Sequence, residues 1–420
     1  MRRSNFPIYV VGYMPQGILP QVMKEVGVHP RGMNIMLPKG AFVRLLIRDL
    51  DPRQANIIKQ SMLSLGGEAA VPMGFLDFTL ERGDVLLTGT LTQMAKLTDK
   101  LKLQPFGLKV LAEEIEEVLR GLPDSPLGGS RAFAMELPRR SGGKIVKRLR
   151  LRITRRRPLV MGVINLTPDS FSGDGLGGMV DEAVSRAWTM RDHGADIVDV
   201  GGESSRPFSD PVTAEEELKR VMPFFETVGG SFPLPISIDT YKPSVAESTL
   251  KEGASIVNDI YALRSRGMAD LISKYKAGCV VMHMQGTPKN MQVSPKYERA
   301  AVEVADFLKD RLNFAEKKGI KREHLIVDPG IGFGKELSHN LELINRISYL
   351  FPLKAPILIG PSRKSFIGRI TGRSVKRRVA GSIAASVMAY LMGADILRVH
   401  DVKETRDALD VASAIIHEGI

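Results

Sequence analysis

At 420 residues the chain has room for two or three domains of about 100–200 residues each. With 43% hydrophobic and 25% charged residues, it is neither wholly disordered nor collagen-like nor a coiled coil. A formal charge of +12 raises the question of an anionic partner such as nucleic acid, but segment 126–157 holds eleven basic residues against the single acid Glu136 and leaves only +2 for the rest. That distribution argues against a general nucleic-acid surface. The single cysteine, Cys279, cannot form an intramolecular disulfide or supply a cysteine metal cluster, and its run Gly278-Cys-Val-Val-Met282 reads as core packing. No stretch approaches the ~20 apolar residues of a membrane span, and Pro7 follows the basic N-terminus before any signal-like apolar run develops. A soluble cytoplasmic protein is expected.

In chain order, residues 1–125 read as a small α/β module, with strands at 42–48 and 85–89 and helices at 52–65, 92–101 and 107–120. No chemical constellation stands out in it, and its role is unassigned. Segment 126–157 reads as a basic linker. The stretch 122–144, with prolines, paired glycines and serines, reads as a linker or irregular entry to the barrel, whereas 147–157 alternates basic residues with Leu149, Leu151 and Ile153 at the period of a strand with one solvated face. From 158 to 420, eight short apolar runs begin at about 159, 195, 235, 255, 278, 324, 355 and 395. They alternate with amphipathic segments such as 180–193, 214–228, 296–318, 337–350 and 378–391. Eight strand–helix alternations over this length predict a (β/α)8 TIM barrel preceded by the small α/β domain.

In such a barrel, chemistry gathers at the C-terminal ends of the strands. The eight runs do end in polar groups: Asn165, the Gly201–Pro207 turn, Asp239-Thr240, Asn258-Asp259, His283, Asp328-Pro-Gly, Ser362-Arg-Lys-Ser365 and Arg398-Val-His400-Asp401. Helix caps account for one or two of these, and an active-site rim accounts for all eight.

The sequence Gly162-Val-Ile-Asn-Leu-Thr-Pro-Asp-Ser-Phe-Ser172, with Gly201–Pro207, Ile238-Asp-Thr-Tyr-Lys-Pro243, Val257-Asn-Asp-Ile260, Val327-Asp-Pro-Gly-Ile-Gly-Phe-Gly-Lys335, Gly360-Pro-Ser-Arg-Lys-Ser365 and Leu397-Arg-Val-His-Asp401, closely resembles the motif set of the dihydropteroate synthases. The resemblance covers about 140–420. It implies condensation of 6-hydroxymethyl-7,8-dihydropterin diphosphate with 4-aminobenzoate in folate biosynthesis, by Mg2+-assisted loss of diphosphate and capture of the pterin cation by the arylamine. It also implies a homodimer, with these small molecules as the partners. By the same resemblance Asp328 receives the pterin edge, Asp239 and Asn258 complete it, Met282 forms pocket wall, and Lys364, beside Ser365, reaches the pterin carbonyl. A carboxylate accepting two adjacent N–H groups is chemically suited to such an edge. Arg398 and His400, two apart on the eighth strand, match the anion-binding pair. Asn165 matches the residue holding magnesium against the diphosphate, a use that suits an ion taking few protein oxygens plus phosphate.

Phe171, Ser205, Arg206 and Pro207 match the surroundings of the aminobenzoate, and Asp174 the loop aspartate that stabilises the cation. The chain departs from the pattern in three places: Ser172-Gly-Asp-Gly175 shifts that aspartate by one residue, Ser205 replaces a threonine, and Phe208 stands where glycine is common. His283 reads as a structural hydrogen-bonding group, and Gly332 and Gly334 as backbone wall beside the pterin. The rival reading is a pterin-binding folate or corrinoid methyltransferase domain. Such a domain shares the carboxylates but has no need of the Asn165, Ser362–Ser365 and Arg398–His400 motifs.

Overall fold

The computed structural model describes residues 7–10, 23–77, 79–122, 132–154, 156–167, 175–204 and 209–417. The chain divides into two units, one of residues 1–131 with 346–354 and 414–420, the other of 132–345 with 355–413.

The first unit is built on an antiparallel sheet of order β1-β2-β4-β3, from β1 (Ile8–Val10), β2 (Phe42–Leu50), β3 (Glu68–Ala70) and β4 (Gly83–Thr90). Its helices include α1 (Pro30–Gly40), α2 (Pro52–Leu63), α3 (Leu91–Leu101) and α4 (Leu108–Arg120). Val43, Leu45 and Ile47 alternate with less buried neighbours along β2 and so give the sheet one apolar face. Asp51 and Gln54 form a capping box that starts α2, as Thr90 and Gln93 do for α3. The expected strands and helices are all present. β1, α1 and β3 are additional: a three-residue strand is defined by its partner rather than by its own pattern.

The second unit begins with a hairpin whose second strand matches the alternation expected over 147–157, whereas its first strand falls in 122–144, expected to be irregular. β5 (Phe133–Ser141) and β6 (Lys144–Ile153) pair antiparallel, joined by Gly142-Gly143 with φ of 54° and 75°. Positive φ at both central residues is what the tightest hairpin turns require, so the paired glycines mark a turn rather than a flexible tether. Pro138 is tolerated because the hairpin is only two strands wide.

The barrel follows: β7 (Leu159–Asn165), α5 (Gly175–Asp192), β8 (Ile197–Gly201), α6 (Ala214–Val228), β9 (Ile236–Asp239), α7 (Pro243–Lys251), β10 (Ala254–Asp259), α8 (Met268–Tyr275), β11 (Gly278–Met282), α9 (Ala300–Lys317), β12 (Leu325–Asp328), α10 (Leu337–Asn345), β13 (Leu358–Ile359), α11 (Ser365–Thr371), α12 (Val379–Met392), β14 (Ile396–Val399) and α13 (Val402–His417). The eight parallel strands run in the order β12-β11-β10-β9-β8-β7-β14-β13. A parallel bridge from Val327 to Ile357 joins the two ends of this sheet and closes the circle.

Period two along each strand stacks the barrel interior in layers. Met161, Ile197, Ile256, Val280, Ile326, Leu358 and Ile396 share one apolar cluster with Met135, Leu137, Leu149, Leu151 and Ile153 of the hairpin, which therefore plugs the N-terminal end of the barrel. Two residues further along their strands come Val163, Asp199, Asn258, Met282, Asp328, Gly360 and Arg398. The interior changes from apolar to polar in one step, at the C-terminal end. The basic segment thus lies at the barrel bottom, and it is not all solvated. Arg139 is 1% exposed and donates to the Phe232 and Leu234 carbonyls, and Arg140 donates to the Tyr275 carbonyl at 2.7 Å while lying over that ring.

Candidate active site

The polar layer bounds a pocket lined by Asp239, Asn258, Met282, Asp328, Lys364 and Arg398, with Ile260, Ile331, Phe333 and Gly360 between them. Six residues of the expected site come together there from five strand ends and the loop after β13.

Arg398 organises one side. Its Nε donates to Asp199 Oδ2 at 2.7 Å, and its Nη2 lies 2.6 Å from the same oxygen and 2.7 Å from Asp239 Oδ2. Burial opposes its charge, but Asp199 and Asp239 together raise its pKa and hold it cationic. Burial, with Asp199 nearby, pushes the Asp239 carboxyl up to about 7 against the pull of Arg398. Asn258 Nδ2 donates to Asp199 Oδ2 at 3.1 Å, whereas Asn258 Oδ1 is buried without a partner among the described residues. Asp199 was not singled out in the sequence. Its signal was a carboxylate inside the apolar run of a strand buried on both faces, where charge survives only if paired.

Asp328 closes the opposite side. Its Oδ1 accepts from the Gly330 N–H at 2.7 Å, and burial raises its pKa to about 6. Gly330 has φ of +70°, and a Cβ there would fall 1.9 Å from the His283 carbonyl oxygen, so only glycine lets this turn approach β11. Lys335, 3% exposed, locks the same turn: its Nζ donates to the Phe333 carbonyl at 2.9 Å and meets His283 Nδ1 at 3.0 Å. Burial pulls the Lys335 ammonium down to about 7 and the His283 imidazolium well below its usual range. His283 is thus a structural hydrogen-bonding group, as expected, and Lys335 is its unanticipated partner. The Lys364 ammonium lies 4.1 Å from the Phe333 ring centroid, and burial, with Arg398 adding to it, lowers its pKa to about 8.

Arg398 and His400, which match the anion-binding pair of the resemblance, have different partners in the fold. The guanidinium is committed to two carboxylates, and His400 Nδ1 instead lies 3.0 Å from Ser362 Oγ. Burial, with Arg398 and Arg363 nearby, drives the His400 imidazole down to about 3 and keeps it neutral. Arg363 is tied to Asp401, with Nε 3.1 Å from Oδ2, so this basic loop is held rigid rather than left free. Ser365 is exposed at the start of α11 and lies outside the pocket lining. Asn165 ends β7 half-buried, opposite Gly201 of β8. Phe171, Asp174, Ser205, Arg206 and Pro207 lie outside the described residues, as does Phe208.

The second strand-end loop is braced at its base. Lys242 bonds Glu203 and lies 2.5 Å from Glu217 Oε2, Tyr241 Oη donates to Glu203 Oε1 at 3.1 Å, and the Val212 N–H donates to Glu203 Oε2 at 3.4 Å. None of these contacts was anticipated, although Glu203, Tyr241 and Lys242 lie in the matched motifs. Cys279 is buried as expected, and burial pushes its thiol well up.

Residues 161–400 match the family described as pterin binding enzyme. The chain is 44% identical over 259 residues to the dihydropteroate synthase of Escherichia coli K12, covering 62% of this chain and 92% of that one. It is 37% identical over 374 residues to a probable bifunctional folylpolyglutamate synthase/dihydropteroate synthase of Haloferax volcanii, covering 86% of this chain and 42% of the other. Among solved structures, Xanthomonas albilineans dihydropteroate synthase with 4-aminobenzoic acid aligns with a TM-score of 0.59 at 43% identity, covering 63% of this chain and 95% of that one.

Proposed function

The chain belongs to the dihydropteroate synthases, the pterin-binding transferases that join 6-hydroxymethyl-7,8-dihydropterin diphosphate to 4-aminobenzoate in folate biosynthesis, and from this premise we propose how its residues divide that work. The observation that carries the assignment is the unpaired, buried Asn258 Oδ1 in a pocket shared with the Asp328 and Asp239 carboxylates. A buried acceptor without a donor costs ~1–3 kcal/mol, and a ligand edge rich in N–H groups removes that cost. Asp328, ionised and fixed by Gly330, accepts two adjacent N–H groups of the pterin. Asn258 and Asp239 take the remainder of that edge, Met282 and Phe333 cover its faces, and Lys364 donates to its carbonyl.

Arg398 fixes the Asp199 and Asp239 carboxyl groups in place beside the pterin, which sets the acceptor pattern before the substrate arrives. Neutral His400 binds the leaving diphosphate as a hydrogen-bond donor rather than as a cation: with the Ser362 hydroxyl at Nδ1, the tautomer carrying its proton on Nε2 presents an N–H at the mouth. Magnesium fits beside it. Asn165 makes no side-chain hydrogen bond among the described residues, and a neutral oxygen at a strand end suits an ion that keeps most of its ligands as phosphate and water. When bound, the ion would neutralise charge developing on the diphosphate. Phe171, Ser205, Arg206 and Pro207 complete the aminobenzoate side, and Asp174 stabilises the cation left on the pterin. No strong general base is needed, because the arylamine is neutral and nucleophilic at pH 7.

The reading extends to a homodimer in the cytoplasm. Met388 on α12 and Val411 on α13 leave apolar surface exposed, and the one thiol is buried as a reducing compartment permits. Calorimetric titration with the dihydropterin diphosphate tests the site: Asp328→Ala should lose at least a hundredfold in affinity. Unchanged binding would remove Asp328 from the pterin site.

A further inference from the structure

A second cavity, of about 550 Å3, opens at the opposite end of the barrel, between the outer face of the β5–β6 hairpin and the α8 end and α9–β12 connection. It shares no lining residue with the pterin pocket. The same alternation that turns Leu137, Leu149 and Leu151 into the barrel turns Glu136, Arg148 and Arg150 out towards this cavity, and Lys276, Lys321 and His324 face them from the other wall. Lys321 is paired with Glu323 at 3.5 Å. Arg148, Arg150 and Lys276 have no ion-pair partner among the described residues, and the only other carboxylate in the lining is Glu136. Three unpaired cations therefore face one carboxylate around a hollow large enough for a mononucleotide-sized molecule. The floor is partly apolar, from Ile272 and Ile320. His324 is 8% exposed, and burial lowers its pKa, so it presents a neutral ring rather than a further charge.

We propose that this cavity is a binding site for a nucleotide-sized organic anion, an apolar body bearing phosphate or carboxylate groups, held by Arg148, Arg150 and Lys276. Residues two apart on one strand face have their backbone positions about 7 Å from each other, so the Arg148 and Arg150 guanidinium groups can reach two anionic groups of one ligand or two oxygens of a larger one. Glu136, opposite Arg150 across the hairpin, repels anionic groups from that end and favours a ligand with an N–H donor there. The cluster accounts for part of the basic segment that the condensation does not use. Ligands reaching it would act on the hairpin that plugs the barrel and not on the pterin edge.

Adenosine 5′-monophosphate and citrate are the probes, titrated calorimetrically into the full-length enzyme at low salt, with adenosine as the uncharged control. At least one anion should bind in the micromolar to millimolar range while adenosine does not, and Arg148→Ala/Arg150→Ala should weaken that binding at least tenfold with the turnover in the absence of probe unchanged. Lys276→Glu, on the facing wall, should do the same and serves where the double variant does not fold. Binding that is indifferent to both substitutions, or that neither anion produces, overturns the site.

Discussion

Arg398 and the two carboxyl groups it holds account for much of the site's behaviour, because all three are largely buried together and the guanidinium fixes the position of both. Asp328, across the pocket, lacks such a partner and is the residue whose role has the clearest cost. Its carboxyl ionises near 6 in the fold, against an ordinary value of 3.8. The unfolded chain therefore releases that proton first as pH rises, and the penalty to the fold grows between these values and is complete above about 6. That difference corresponds to on the order of 2–3 kcal/mol. Asp328→Asn should therefore raise the melting temperature of the unliganded enzyme at pH 8 and leave it little changed at pH 4, while abolishing stabilisation by the pterin substrate. An equal shift at both pH values would contradict this. In the wild type, pterin affinity should fall as pH drops through about 6, where Asp328 gains a proton. At the other end of the substrate, Asn165→Ala should raise the magnesium concentration needed for half-maximal turnover by about tenfold without altering pterin affinity, measured by titrating the metal in the coupled assay. Charged or amide residues at strand ends were legible in the sequence because the strands themselves were. Asp199, Lys335 and Lys242 were not, since their meaning lies in partners 39 to 199 residues away.

At the scale of elements, the strands of the barrel were legible because parallel strands buried on both faces read as short apolar runs closed by polar turns. The helices α7 and α8 were not picked out: they span nine and eight residues, too few for the period of 3.6 to stand out. The first strand and the turn of the hairpin were hidden for a different reason. Gly142-Gly143 is equally a linker signature and a tight-turn signature, and only the alternation on both sides decides between them. Because the hairpin seals the barrel, its turn and its apolar face should matter to stability. Leu151→Ala should cost ~2–4 kcal/mol, from a side chain 6% exposed in the barrel-bottom cluster. Gly142→Ala/Gly143→Ala should cost about 1 kcal/mol per residue through the left-handed backbone. Both are read as shifts in denaturant midpoint, and a Leu151→Ala enzyme as stable as the wild type would mean that the hairpin does not close the core.

For the whole molecule, the charge of +12 takes a local meaning. Part of the basic segment is internal, with Arg139 and Arg140 capping carbonyls at the barrel bottom, and part faces the cavity beside α8. In the proposed function the anion of the condensation binds at the other end, where Arg398 is already engaged by two carboxyl groups and His400 is uncharged, so we assign that task to neutral donors and a divalent ion. The first unit has a well-formed sheet and capped helices, and the relationship to the Haloferax volcanii protein runs over most of the chain. The described pterin-site residues nevertheless all belong to the second unit. The central claim, that this barrel couples a pterin diphosphate to an arylamine, is tested most directly by diphosphate release from the full-length enzyme with Mg2+. Release should require dihydropterin diphosphate and 4-aminobenzoate together, with one dihydropteroate formed per diphosphate. Release that proceeds at the same rate without the arylamine, or no release with both substrates present, would contradict it.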